Sequence, residues 1–302
     1  MKSVMLLVCG PMLCVGLLLC SSGMSRAQPT IMHGPIGERV LVSGPAFPVY
    51  DATLYQNKPD LESLFGMPRL RTHGRLWSKG EDQDEPIRAR VIASMANIPR
   101  GEIMFLDIEH WPMRGEPEVV AETVRKFNLV TQWVREARPD LTIGYYSFPP
   151  VRDYWRAIKP VDSPEYLRWQ ADNRAVAPIA DRVDIIYPSL YTFYEDREGW
   201  VTYAEANLRE ARQYGKPVYA FLWPQYHVSN QKVKLQLIEP AFWRIQLETC
   251  LEHADGIVIW GGWMDSEGQR LSWDPTAPWW RETLAVMAEH GERLIDPRAA
   301  QP

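Results

Sequence analysis

The sequence contains few cysteines for its 302 residues, and their positions restrict their roles. Three of the four, Cys9, Cys14 and Cys20, lie near the N-terminus, which leaves Cys250 in the remainder. If the N-terminal segment is removed, no intrachain disulfide can form, so the fold must depend on its hydrophobic core. Cys250 lies in a helical pattern, and we expect it to be a buried apolar residue rather than a nucleophile.

Long apolar runs are equally scarce. The one sustained run extends from Val4 to Leu19 and is followed by small residues ending at Ala27, a pattern typical of a cleaved signal peptide. The run is short for a bilayer span. Residues 1–27 are therefore predicted to be a signal peptide, and the protein is predicted to be secreted or periplasmic, with no membrane span. A leucine precedes Cys20 where a lipoprotein signal needs a small residue, which argues against lipid anchoring.

The chain also lacks an excess of positive charge. Its formal net charge of -5 makes nucleic acid an improbable partner. There is no His-x-x-x-His spacing or cysteine pair, so no metal is predicted, and His110 should face away from Glu109. Gly261 and Gly262 are interpreted as a turn because no phosphate-binding fingerprint surrounds them, and no cofactor is predicted. The sequence does not indicate an oligomeric state.

No internal repeat or linker interrupts the chain between Pro45 and Arg281. Short β-rich segments alternate with helical patterns, which favours an α/β fold with a parallel sheet. We predict a single TIM-like barrel, distorted and seven-stranded, over residues 45–296, with an N-terminal extension at 28–44 and a tail at 297–302. The predicted strands are Ala46 to Leu54, Leu70 to Trp77, Ile103 to Glu109, Thr142 to Phe148, Asp184 to Tyr191, Pro217 to Leu222 and Gly256 to Trp260. The predicted helices are Glu116 to Ala137, Ser163 to Ala177, Tyr203 to Tyr214 and Pro240 to His253.

The third predicted strand ends in two carboxyl groups, Asp107 and Glu109. Side chains alternate faces along a strand, so these two point the same way while Ile108 points the other way. Like charges crowded into a partly dry pocket push one pKa upward, and such an acid can protonate a leaving oxygen near neutral pH. Carboxylates that cap the next helix or pair with arginines are the structural alternative.

Aromatic residues gather at the predicted carboxyl ends of the strands, where barrel active sites lie. The chain has 13 tryptophans and 13 tyrosines. Flat aromatic faces bind sugar rings, although many aromatic residues in a barrel simply fill its core. The strand-end residues that we propose for sugar binding are Trp111, Tyr146, Tyr191, Phe221, Trp223, Trp260 and Trp263.

Five segments in order resemble the hyaluronidases of glycoside hydrolase family 56. Residues 107–111 resemble the family pattern Asp-Trp-Glu-x-Trp, and residues 144–149 resemble Gly-Tyr-Tyr-x-Phe-Pro. Residues 186–191 resemble Leu-Tyr-Pro-Ser-Ile-Tyr, residues 217–218 resemble the start of a Pro-Val strand, and residues 256–260 resemble Gly-x-Val-x-Trp. The resemblance implies a distorted barrel that cleaves β-linked N-acetylhexosamine polymers.

The resemblance also implies roles for individual residues. Glu109 would be the general acid and base, and Asp107 would hold it and help to keep it protonated. The substrate's acetamido oxygen would attack the anomeric carbon in place of a protein nucleophile. Tyr187 would contact the acetamido group, and Trp260 would line its pocket. The predicted partner is therefore a polysaccharide or glycan substrate.

Two departures from the family pattern bear on the substrate. Pro112 follows Trp111 directly and Arg114 comes later, so an arginine expected to meet a substrate carboxylate is missing or displaced. Phe221 stands where the family often has tyrosine. With an acidic chain, a neutral or differently decorated N-acetylhexosamine glycan fits the charge better than hyaluronan.

Two other functions are compatible with the sequence. One is a two-carboxylate glycosidase in which Asp265 is the second carboxylate, with Asp184 and Glu195 as weaker choices. The other is a non-catalytic glycan-binding barrel that keeps the aromatic groove.

Overall fold

The computed structural model describes residues 47–72 and 85–290. The predicted signal peptide at 1–27, the extension at 28–44 and the tail at 297–302 lie outside the described residues, as does the end of the second predicted strand after Thr72. In the part of the chain that is described, no helix is long and apolar enough to cross a membrane.

Short strands alternate with longer helices along the chain. The strands are β1 (Val49–Thr53), β2 (Arg71–Thr72), β3 (Ile103–Leu106), β4 (Thr142–Tyr145), β5 (Tyr219–Leu222) and β6 (Gly256–Gly261). The helices are α1 (Leu61–Phe65), α2 (Arg88–Met95), α3 (Pro117–Ala137), α4 (Tyr154–Ala157), α5 (Pro164–Ala180), α6 (Arg197–Arg212), α7 (Pro240–His253) and α8 (Pro278–Glu289). This order confirms the predicted α/β class with parallel strands.

The strands form two parallel three-stranded sheets. One has the order β1-β6-β5 and the other the order β2-β3-β4. In the first sheet Val49 lies opposite Ile257, and in the second Ile103 lies opposite Thr142. Because all the neighbouring strands are parallel, their carboxyl ends lie at the same edge, where the loops that carry the predicted site begin.

The prediction of a distorted, TIM-like barrel of seven strands is confirmed only for the parallel α/β arrangement, because the described strands do not close into a barrel. Among the described residues there are six strands, and the segment predicted as a strand from Asp184 to Tyr191 makes only isolated parallel bridges. These bridges join Tyr187 to β4 through Tyr146, and Ser189 to β5 through Phe221. Pro188 lies in the middle of the segment and has no N–H, so it cannot continue a ladder of hydrogen bonds.

Alternate strand residues belong to two separate apolar clusters. On β3, Met104 and Leu106 belong to the larger cluster, which includes residues from the helices, whereas Phe105 belongs to a smaller cluster of strand and loop residues. This division follows from the two-residue period of a strand, which sends successive side chains to opposite faces. The smaller cluster therefore marks the inner face of the strands, on which the site is built.

The four predicted helices are present, and their ends use the expected residues. The Ser163 side chain accepts a hydrogen bond from the Tyr166 backbone N–H at the start of α5. Gly215, just beyond α6, has a φ of 66°, a left-handed conformation that glycine adopts without steric cost. Cys250 in α7 is fully buried, as predicted. Helices α1, α2, α4 and α8 were not predicted from the sequence.

Candidate active site

Asp107 and Glu109 follow directly after the last residue of β3. The alternation of β3 continues through them, because Ile108 is buried in the larger apolar cluster while its two neighbours face a cavity. Asp107 is partly buried, and the Glu109 side chain is 49% exposed. The two carboxyl groups therefore share one face, as predicted, and they differ in their access to water.

Burial, and to a smaller extent the charge of the nearby Glu109 carboxylate, raises the pKa of Asp107 to about 6. A carboxyl group with this pKa keeps its proton under mildly acidic conditions, when an ordinary aspartate has lost it. The structure thus contains the raised carboxyl pKa that the crowded pair predicts, and it lies on Asp107.

The cavity beside the pair encloses about 550 Å³ of space that is open to solvent. Its volume is within the range usual for small-molecule sites. The wall contains aromatic rings, the two carboxyl groups, one arginine and one histidine. The lining residues are Phe105, Asp107, Glu109, Tyr146, Arg152, Tyr191, Phe221, Trp223, His227, Val228, Trp260 and Trp263. Six of the seven residues predicted to bind sugar are among them.

Three of the aromatic rings form a connected wall. The rings of Tyr191 and Trp260 are stacked with centroids 5.7 Å apart, and Trp223 meets Trp260 edge-on at 4.7 Å. The indole N–H of Trp223 donates to the Gln225 side chain at 3.0 Å, which fixes its orientation. These contacts hold flat apolar faces in place, an arrangement suited to a sugar ring. Trp263, at 40% exposure, is the most open of the cavity's tryptophans.

Tyr146 and Phe221 form the deeper part of the wall. Their rings meet edge-on at 4.9 Å, and the Tyr146 hydroxyl lies 3.2 Å from the Ser189 hydroxyl. Burial holds the pKa of Tyr146 above its ordinary value, so its hydroxyl stays protonated. Phe221 contributes only an apolar face.

Trp111 lies outside this cavity. Its ring is buried against Phe127, with centroids 5.1 Å apart, and only 3% of the residue is exposed. It lines a neighbouring hollow that shares Glu109 with the first cavity. Because the Trp111 ring is enclosed by the core, it anchors the loop in which Glu109 lies two residues earlier.

Tyr187 is not among the residues that line the cavity either, although the resemblance suggested that it contacts substrate. It is fully buried below Tyr146 and Phe221, where its ring occupies the space left by the missing side chain of Gly144. A Cβ at Gly144 would lie 2.7 Å from that ring. The Tyr187 hydroxyl has no hydrogen-bond partner among the described residues. The inward-facing position nearer the cavity belongs to Tyr191.

Sequence reasoning missed Arg152, a central residue of the cavity. Its Nη2 atom lies 3.7 Å from Oε2 of Glu109, and its guanidinium carbon lies 5.8 Å from the centroid of the Phe193 ring. Arg152 follows the Phe-Pro-Pro-Val sequence after β4. Its place in a loop at the carboxyl end of a strand was the available signal.

His227 faces the same cavity and is neutral at ordinary pH. Burial, followed by the charge of Arg152, lowers the pKa of His227 to about 4. Its Nδ1 atom lies 2.8 Å from the Ser229 hydroxyl. His227 thus provides a neutral ring that can donate or accept a hydrogen bond.

The other acidic residues weighed as second carboxylates have different partners. The Asp265 carboxylate accepts hydrogen bonds from the backbone N–H groups of Glu267 and Gln269 in its own turn. Asp184 pairs with Arg135, and Glu195 pairs with Lys232. None of these three lines the cavity. Within the described ranges, no group of three His, Cys, Asp or Glu side chains is placed to hold a metal ion.

The fold resembles that of bee venom hyaluronidase. The monoclinic crystal structure of that protein aligns with a TM-score of 0.51 and 13% sequence identity over 84% of this chain and 100% of the other. Its complex with a hyaluronic acid tetramer aligns with a TM-score of 0.52 and 14% identity, covering 82% and 97% of the two chains. No protein-family model matches the sequence, and no curated protein sequence matches it. The chain therefore has a fold like that of a glycoside hydrolase, and at this level of identity the similarity extends to the fold alone.

Proposed function

We propose that this protein is a glycoside hydrolase that cleaves β-linked, N-acetylhexosamine-containing polysaccharide, with Glu109 as the general acid and base. One observation carries the proposal. Asp107 and Glu109 share one wall of a cavity whose other walls present fixed aromatic rings, and the pKa of Asp107 is raised to about 6. A cavity that only bound sugar would not need two crowded carboxyl groups, one of them desolvated.

In the first step, Glu109 donates its proton to the glycosidic oxygen as the bond between that oxygen and the anomeric carbon breaks. The carbonyl oxygen of the neighbouring acetamido group forms a bond to the same carbon. In the second step, the Glu109 carboxylate takes a proton from water while the water oxygen displaces the acetamido oxygen. Each of the two displacements inverts the configuration of the anomeric carbon, so the product retains the configuration of the substrate.

The acidic groups around the cavity support this substrate-assisted route. Among the described residues that line the cavity, the acidic ones are Asp107 and Glu109, and both lie in the segment that directly follows β3. A protein nucleophile would have to approach the anomeric carbon from the face opposite the acid. Asp265 is already bound to its own turn, so the substrate's acetamido oxygen is the better nucleophile.

The remaining cavity residues have positioning roles in this proposal. Protonated Asp107 donates a hydrogen bond to the Glu109 carboxylate, and ionised Asp107 accepts one from the N–H of the substrate's acetamido group. Tyr191 and Tyr146 present hydroxyls to the acetamido group in place of Tyr187, whose hydroxyl lies outside the cavity lining. Trp260 and Trp223 supply apolar faces against the sugar ring and exclude water from it.

The test is reducing-end release by the mature protein from hyaluronan, chondroitin, chitin oligomers, de-N-acetylated chitosan and neutral β-glucans. We expect cleavage only of N-acetylated polymers, with retention of configuration by NMR, and a loss of about a thousandfold or more in Glu109→Gln. Arg90→Gln, on helix α2 away from the cavity lining, is the control substitution. Cleavage of glucans that lack an acetamido group would contradict substrate assistance and favour a second carboxylate. Glycan binding without cleavage of any polymer would indicate a binding protein.

The proposed enzyme acts outside the cytoplasm, because residues 1–27 have the pattern of a signal peptide. The catalytic domain would then comprise residues 45–296. N-terminal sequencing of the exported protein tests the first statement, since we expect a mature chain that begins after Ala27, and the activity of a chain truncated to residues 45–296 tests the second.

A further inference from the structure

Two further hollows continue from the cavity that holds the carboxyl pair. The first encloses about 560 Å³ and shares Glu109 and Arg152 with that cavity. The second, which we call the distal hollow, encloses about 900 Å³ and shares Arg114 and Arg152 with the first. Arg152 thus lines all three spaces, and the first hollow lies between the cavity and the distal hollow because it shares residues with both.

Two aromatic side chains are exposed in the distal hollow. Trp155 is 56% exposed and Tyr194 is 37% exposed, and their ring centroids lie 5.1 Å apart. Tyr154 packs beneath both, with centroids 5.3 Å from Trp155 and 5.0 Å from Tyr194. The Tyr154 hydroxyl in turn donates to the Asp196 carboxylate at 3.2 Å. The two exposed rings therefore rest on a fixed support, which lowers the entropy lost when a ligand stacks on them.

Guanidinium groups line the same hollow. The Arg114 side chain is 60% exposed, and its Nη1 atom contacts the Asp153 carboxylate at 2.5 Å. Asp153 also binds Nε of Arg156 at 2.7 Å, so one carboxylate is shared between two arginines. With Arg152 as well, the cations of the hollow outnumber its single acid. An arginine presents several N–H donors, so Arg114 can keep Asp153 and still donate to a ligand oxygen.

We propose that Trp155, Tyr194 and Arg114 form a distal sugar-binding subsite for the same polysaccharide chain that is cut at Glu109. One face of a pyranose ring stacks on Trp155 and Tyr194, and its hydroxyl or carboxylate oxygens accept hydrogen bonds from Arg114. This inference rests on the proposed function and deepens it, because a subsite beyond the cleavage point makes the enzyme act within long chains and favour them over short ones.

The position of the distal hollow supports this occupant. An exposed tryptophan by itself has no special meaning. Trp155 differs because the space in front of it shares Arg152 with the cavity of the two carboxyl groups, and shares Arg114 and Arg152 with the hollow between them. A polymer held in the catalytic cavity has to leave it along some path, and this one offers ring faces and donors suited to sugars.

The experiment measures kcat/KM for hyaluronan and chitin oligosaccharides from tetrasaccharide to decasaccharide. We expect kcat/KM of the wild type to rise with chain length and then level off. In Trp155→Ala and Tyr194→Ala, the ratio between the longest and the shortest substrates should fall by about tenfold, the loss of one ring-stacking contact. Leu167→Ala, which removes an exposed apolar side chain of α5 outside the three spaces, should keep the wild-type ratio. A stronger effect on hyaluronan than on chitin in Arg114→Gln would assign a carboxylate to the bound sugar.

Binding to the same oligosaccharides, measured by calorimetry in the Glu109→Gln background, separates this inference from the proposed function. If no polymer is cleaved but Trp155→Ala weakens binding of the long oligosaccharides, the subsite stands and the hydrolase proposal falls. If polymers are cleaved and the length ratio of both aromatic variants equals that of the wild type, the subsite is overturned while the hydrolase proposal stands. Circular dichroism tests whether each variant is folded. If Trp155→Ala is unfolded, Tyr194→Ala provides the same comparison.

Discussion

The Nη2 atom of Arg152 lies 3.7 Å from Oε2 of Glu109, although 43 residues separate them in the sequence and different strands precede them. Among the described residues that line the cavity of the carboxyl pair, Arg152 is the one arginine or lysine. Its position beside a half-exposed carboxylate and below the ring of Phe193 makes it a positioning residue for the proposed acid. The opposite charges of the two groups attract each other at this distance, which holds the Glu109 side chain toward Arg152.

Replacing Arg152 should therefore change the pH profile as well as the rate. In Arg152→Gln we expect kcat/KM to fall by about tenfold and the alkaline limb of the profile to move to higher pH, because the carboxyl pair loses a nearby cation. Arg152→Lys should recover part of both effects. An NMR titration supplies a readout independent of activity: the pKa of His227, about 4 in the presence of Arg152, should rise in Arg152→Gln. A rate loss with an unchanged profile and an unchanged His227 titration would mean that Arg152 acts only through packing.

Asp107→Asn should lower kcat and raise the free energy of unfolding. The pKa of Asp107 is about 6 in the folded protein against an ordinary value of 3.8, so between these values the folded state binds more protons than the unfolded state. The stability that the protonated carboxyl contributes is fully present at a pH below its ordinary pKa of 3.8, and it is lost as the pH rises through about 6. Asparagine avoids this loss, so the free energy of unfolding should rise by about 1 to 2 kcal/mol above pH 6, with partial exposure taken into account.

Urea unfolding at about pH 4 and about pH 8 measures the effect. The variant should equal the wild type in stability at the lower pH and exceed it at the higher pH, while its kcat falls. Asp162→Asn, at an exposed position, should show no difference at either pH. An equal gain for Asp107→Asn at both pH values would contradict the titration argument.

A pair of tyrosine substitutions tests which hydroxyl serves the substrate. In Tyr187→Phe, the buried hydroxyl without a described partner is removed, so stability should stay the same or rise by about 1 kcal/mol, and kcat should not change. In Tyr191→Phe, a hydroxyl at the cavity is removed, and kcat should fall by about tenfold to a hundredfold. The opposite result, with kcat lost only in Tyr187→Phe, would restore the role that the family resemblance implied.

The local pattern of the sequence predicted the carboxyl pair well. Asp107, Ile108 and Glu109 continue a strand, and the two-residue period of a strand is a local property that does not depend on distant contacts. The aromatic wall was predicted for a similar reason. Trp223 and Trp260 lie at the carboxyl ends of β5 and β6, and Tyr191 follows the segment that bridges to β5. Parallel strands bring their carboxyl ends together whatever their separation in sequence.

The missed features depend on distant contacts instead. Tyr187 and Tyr191 lie on the same inward face, and which of them reaches the cavity depends on the depth at which the segment meets β4. At Gly144 of β4 the segment packs so closely that a Cβ would lie 2.2 Å from the Ile185 carbonyl oxygen and 2.7 Å from the Tyr187 ring, a contact that the pattern of residues 186–191 does not contain. Arg152 was missed because its loop has no periodicity, and its contact with Glu109 exists only after both loops are placed.

The residues that line the cavity extend along the chain from Phe105 to Trp263, so they are synthesised at different times. During synthesis the carboxyl pair leaves the ribosome long before β6, which carries Trp260 and leads to Trp263. A nascent chain that has not yet added β6 has no enclosed cavity, so Asp107 is still hydrated and its pKa is not yet raised by burial. The raised pKa of Asp107 therefore depends on the completed fold, and a chain that still lacks β6 would not have it.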